Sequence, residues 1–111
     1  MTRRSSQQFG VTTETSSASS TVTLVLRGEF DSSVVPTFDA AALNVAALRP
    51  ERVTVDLGTV TIMDSAAIGA VMRLRKAVLS ADNKFSLLAP HPFQQRLFAI
   101  TGLGHVIEAT E

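Results

Sequence analysis

The chain has 111 residues, 45% apolar and 18% charged, which fits one compact domain with a core of its own. Cys is absent, which excludes disulfides, thiol redox chemistry and cysteine-based zinc sites. Ten Lys and Arg balance ten Asp and Glu, so the basic footprint of nucleic-acid binding is missing and a protein or small-molecule partner is expected instead.

No apolar run approaches the ~18–20 residues of a membrane span, and Met1-Thr2-Arg3-Arg4 leads into Ser and Gln, not into a signal-peptide core. The chain reads as soluble and cytoplasmic, with no membrane partner. Residues 1–6 are polar and aperiodic and are expected to be loose; 7–111 form the domain.

Gln8 to Glu14 alternates weakly and is rich in β-branched residues, as an edge strand would be. Thr15-Ser16-Ser17-Ala18-Ser19-Ser20 is a small polar turn into Thr21–Arg27, where Val22, Leu24 and Leu26 would face the core of a hairpin. Gly28-Glu29-Phe30-Asp31-Ser32 is read as the break that ends this strand. From Ser33 to Leu48, Val34, Val35, Phe38, Ala41, Ala42, Val45 and Leu48 fall at helical spacing. Ser32 or Ser33 can cap that helix, and Pro36 fits its first turn, where amides lack partners anyway.

Arg52–Leu57 reads as the next strand, and after Gly58 the apolar run Thr59–Met63 delivers the chain to Asp64-Ser65, where a second helix begins. Its stripe is Ile68, Val71, Met72, Val78 and Leu79, with Arg73, Arg75 and Lys76 largely opposite. Ala81-Asp82-Asn83 is turn chemistry and Lys84–Leu88 a strand. Pro90-His91-Pro92 opens a third helix that Gly102 ends as a left-handed cap, and His105–Ala109 reads as a last short strand. The order ββαβαβαβ predicts a single α/β domain with a mixed, mostly parallel β-sheet and helices packed mainly on one face.

In such folds, sites gather where strands end and helices begin. Two acidic turns stand there, Gly28-Glu29-Phe30-Asp31 and Met63-Asp64-Ser65. A serine at a helix start ordinarily serves as a cap, contributing about 0.5–2 kcal/mol.

These turns, with Val55-Asp56-Leu57, the continuation Ser65-Ala66-Ala67-Ile68-Gly69, Gln95-Arg96-Leu97-Phe98 and Thr101-Gly102-Leu103, together resemble the STAS domain of bacterial anti-sigma-factor antagonists. The resemblance runs from Gln8 to Ala109. It implies a non-enzymatic protein without cofactors that works by partner switching. The unphosphorylated antagonist binds a GHKL-type serine kinase, the anti-sigma factor, and frees the sigma factor; the kinase phosphorylates and releases it, and a phosphatase resets it. By position the acceptor is Ser65. Glu29, Asp31 and Asp64, with Ser65, Ala66, Ala67, Ile68 and Gly69, are the expected partner-binding residues. Ala66 stands where a second Ser or Thr is common, and Ala67 replaces a frequent glycine.

Other chemistry finds little material. A hydrolase would need a base for Ser65, yet His91 and His105 are the only histidines and neither has an orienting carboxylate at a recognisable spacing. Two histidines without Cys make a poor metal site, and His91 among Ala and Pro reads as an exposed loop residue. The competing reading keeps the STAS resemblance but makes the chain a binding subunit of an ABC-type lipid transport complex or a stress-sensing assembly.

Overall fold

Strict alternation in β2 (Thr21–Phe30) sends Val22, Leu24, Leu26 and Phe30 to one face, where all four are buried. In the computed structural model, which describes residues 8–107, this strand is the second of a four-stranded sheet ordered β1-β2-β3-β4. β1 (Gly10–Ser16) lies antiparallel to β2 along the edge, and the expected serine-rich turn joins them. β3 (Arg52–Met63) and β4 (Lys84–Leu88) run parallel to β2, connected through α1 (Val35–Ala47) and α2 (Ser65–Ser80). α3 (Pro92–Ile100) follows β4. This is the mixed, mostly parallel α/β sheet with helices mainly on one face that the sequence order implies.

Three local expectations change. β2 does not break at Gly28: the glycine takes a left-handed φ of 87° and the strand continues to Phe30. β3 does not stop at Leu57 but runs unbroken to Met63. Its register slips against β2 twice, so that Asp56 faces Val25 while Thr59 faces Arg27, and Val60 faces Gly28 while Ile62 faces Glu29. Plain alternation buries Val53, Val55 and Leu57, and the bulges bring Val60 and Met63 to the same face despite their uneven spacing. The last strand is not formed at His105–Ile107, because Gly104–Val106 is a 3-10 turn that bonds back on itself; the rest of that segment, from residue 108, lies outside the described residues, as do residues 1–6.

α1 and α2 close the core from above. α2 buries Ala67, Ile68, Ala70, Val71, Leu74 and Val78; of the expected stripe Ile68, Val71 and Val78 are in the core, while Met72 is half-buried and Leu79 is 44% exposed. Arg73 and Lys76 are exposed and Arg75 half-buried, with Arg73 reaching Asp39 of α1 at 3.3 Å. α3 is fastened by polar side chains. The fully buried Gln94 donates from Nε2 to the carbonyls of Leu57 (2.8 Å) and Val60 (3.2 Å), which flank the first bulge. His91 Nε2 donates to Gly58 O at 2.6 Å, so His91 is a half-buried brace and not a free loop residue. Gly102 ends α3 at φ 79°, with Leu103 N bonded to Phe98 O at 2.7 Å, the left-handed cap expected of it.

Candidate functional site

β2 and β3 end level with each other. Phe30 pairs with Met63 and both are buried, so the chain leaves the sheet at the same height in both strands, at Asp31 and Asp64. Neighbouring strands lie about 4.8 Å apart, and this alone sets the two acidic turns side by side.

The carboxylate of Asp64 then ties them together. Its backbone is extended (φ −122°, ψ −178°), which makes it the residue preceding the first helical turn of α2. Oδ1 accepts from Ala67 N at 2.9 Å, capping α2, and Oδ2 accepts from Ser32 N at 3.0 Å across the gap. Asp31 does the same locally. Its Oδ1 accepts from Ser33 N (3.0 Å) and Ser33 Oγ (2.6 Å), capping the 3-10 turn Ser32–Val34 that leads into α1. Neither Ser32 nor Ser33 is the cap; the carboxylate before them takes that place.

Ser65 is thereby left free. It is the first residue of α2, it is exposed, and the capping role a serine would ordinarily fill there belongs to Asp64. The Ser65 and Ala66 amides stand at the positive end of the helix dipole without a backbone partner among the described residues.

The remaining expected site residues divide. Ala66 and Gly69 are half-buried beside Ser65 on the outer side of α2. A methyl group added at Gly69 would meet only Arg73 Nη1, at 3.9 Å, so this flank is open. Ala67 and Ile68, at 0% and 3% exposure, are core residues, because the helix turns their side chains onto the sheet; they support the site without presenting a surface. Glu29 lies on the sheet face away from the core, next to the half-exposed Ile62, which the second bulge turns outward. Sequence reading missed Ser32, whose amide completes the tie, and Ile62. The alternation of β3 would have shown Ile62 only if the bulge were known.

The site is an acidic, two-loop edge that presents two exposed hydroxyls, those of Ser65 and Ser32, neither of them hydrogen-bonded among the described residues; of the two, Ser65 stands at the start of a long helix. Among the described residues no three His, Asp or Glu side chains gather as metal ligands, and no helix is long and apolar enough to cross a membrane.

A family profile described as "Mlab, STAS domain" matches residues 13–108, and the chain belongs to the STAS family, whose domains are non-catalytic regulatory modules. No curated protein matches it at significant similarity. Solved structures share its fold. The anti-sigma factor antagonist SpoIIAA in its unphosphorylated form is 24% identical, with a TM-score of 0.77 over 92% of this chain and 90% of that one. The Bacillus cell fate determinant SpoIIAA in its phosphorylated form is 24% identical, with a TM-score of 0.70 over 92% and 93%. An anti-sigma factor antagonist from Mycobacterium paratuberculosis is 21% identical, with a TM-score of 0.80 over 90% and 83%.

Proposed function

We propose that this domain is an anti-sigma-factor antagonist that binds a kinase-type anti-sigma factor, frees a sigma factor, and is switched off by phosphorylation of Ser65. The observation that carries the reading is the division of labour at the start of α2. Asp64 caps the helix, and Ser65 beside it is exposed, its hydroxyl making no hydrogen bond among the described residues. A hydroxyl without a structural duty at a helix N-terminus is a suitable acceptor, and the likeness to antagonists solved in phosphorylated and unphosphorylated forms supports the choice of that chemistry.

The switch follows from charge. A phosphoserine adds about −1.5 to −2 charges at neutral pH. The open amides and the dipole of α2 accommodate an anion there, so the fold survives. The surface does not stay the same: the new charge stands beside Asp64, which is tied to the Asp31 loop, and repels an acidic or apolar partner surface seated on this edge. Ala66 and Gly69 leave room for that partner to approach closely. A phosphatase restores the binding form.

The test is phosphate transfer. Incubated with a GHKL-type anti-sigma kinase and ATP, the protein gains the mass of one phosphate, and Ser65→Ala gains none while folding normally. Transfer to another residue would overturn the assignment of Ser65. Stable co-purification with a transporter ATPase, with no phosphate transfer from the kinase, would replace the antagonist by a transport-complex subunit.

A further inference from the structure

The far end of the helix pair carries a second feature, remote from Ser65. α2 has 16 residues, so its two ends stand roughly 24 Å apart at ~1.5 Å per residue. Between the last turns of α1 and α2 lies a groove of about 340 Å³, within the range of about 300–1,000 Å³ typical of small-molecule sites. Val45 of α1, Leu74 and Val78 of α2 and Val53 of β3 make its apolar wall, and Arg49 and Asn83 contribute polar groups.

Arg49 is the informative residue. It follows the C-terminus of α1 with φ 52°, in the left-handed region that favours glycine at that position. The chain nevertheless places its longest cation there. The one ion pair among the described residues joins Arg73 and Asp39, so Arg49 has no carboxylate partner among them. The nearby acids Glu51 and Asp82 line a neighbouring polar pocket together with Arg52 and Lys84, and none of the four forms an ion pair among the described residues. The groove therefore combines an apolar wall with a single uncompensated guanidinium, whose planar fork matches a carboxylate. One cation balances a monoanion, and the wall requires that anion to have an apolar body.

We propose that this groove binds a small amphipathic carboxylate, its hydrocarbon chain along Val45, Val53, Leu74 and Val78 and its head group on the Arg49 guanidinium. Because α1 and α2 also frame the acceptor edge at their other ends, such a ligand sits on the two helices that any partner of that edge would meet. The inference does not depend on Ser65 being phosphorylated.

The experiment titrates the full chain with octanoate, octanol and octylamine, following backbone amide resonances. Octanoate is expected to bind saturably and shift the Val45, Leu74 and Val78 amides while leaving Ser65 in place. Octanol, with the same chain and no charge, is expected to bind roughly tenfold more weakly or worse, the loss of one charge-assisted contact, and octylamine more weakly still. Arg49→Gly separates binding from folding, since glycine suits the left-handed backbone: its Tm stays at or above that of the parent while the preference for octanoate over octanol disappears. Equal affinity for octanoate and octanol, unchanged octanoate binding by Arg49→Gly, saturable shifts elsewhere, or no binding of octanoate would each overturn the proposal.

Discussion

Asp64 holds two backbone amides with one carboxylate, one from its own helix and one from the neighbouring loop, while the serine beside it holds none. Removing each side chain should therefore have opposite consequences. Asp64→Ala loses a helix cap and a charge-assisted bond across the loops and is expected to cost about 2 kcal/mol in urea unfolding. Ser65→Ala, at an exposed position without a bond, is expected to stay within about 0.5 kcal/mol of the parent. The same distinction explains why the caps could not be assigned from sequence. Asp and Ser are nearly equal in capping preference, and both turns offer the pair in succession, at Asp31-Ser32 and Asp64-Ser65. What decides is where the strand lets go of the chain. Phe30 and Met63 are the last paired residues, so in each turn the aspartate is the first residue off the ladder and keeps the extended backbone a cap requires, while the serine after it is already helical.

At the scale of elements, the helices, the whole of β4 and the first parts of β2 and β3 were legible from their apolar patterns and the turns that bound them. The second half of β3 was not, since strict alternation fails there: buried Leu57, Val60 and Met63 are spaced by three, which matches neither a strand nor a full helical face. The cause is the pair of bulges, and nothing within β3 alone announces them except Gly58. α2 offers a prediction of its own. Gly69 sits inside the helix with open space at its Cβ position, so Gly69→Ala is expected to raise stability by about 0.5–1 kcal/mol, seen as a higher urea midpoint. The added methyl lies on the flank assigned to partner contact. Weaker kinase binding by this stabilised variant is the matching expectation, and it separates the binding face from the fold.

For the whole molecule, the sheet order and its helical cover followed from the alternation of strands and helices, but the attachment of α3 did not. A glutamine in Pro92-Phe93-Gln94-Gln95 looks like surface material, yet Gln94 is buried and supplies donors to two carbonyls that β4 is too short to reach, since β4 ends opposite Asp56. Gln94→Leu keeps the volume and strands both carbonyls. It is expected to destabilise the domain by about 2–4 kcal/mol in thermal or urea unfolding, well above an ordinary surface change. The absence of strand at His105–Ile107 has a related reason: Leu103 is drawn back to Phe98 by the glycine cap, so the chain enters a 3-10 turn at the point where the sequence pattern suggests extension.

The bulges of β3 also govern which genetic changes the domain can absorb. Between Asp56 and Met63 this strand spends two more residues than β2 does between Val25 and Phe30, and the surplus is what brings Asp64 level with Asp31. Loss of a single codon from this stretch would shift the register by one and turn Met63 out of the core and Asp64 away from Ser32, while many substitutions at the exposed Thr59, Thr61 and Ile62 would leave both in place. Relatives of this chain should accordingly vary freely in the identity of these outward residues and hold the number of residues between Asp56 and Asp64 constant.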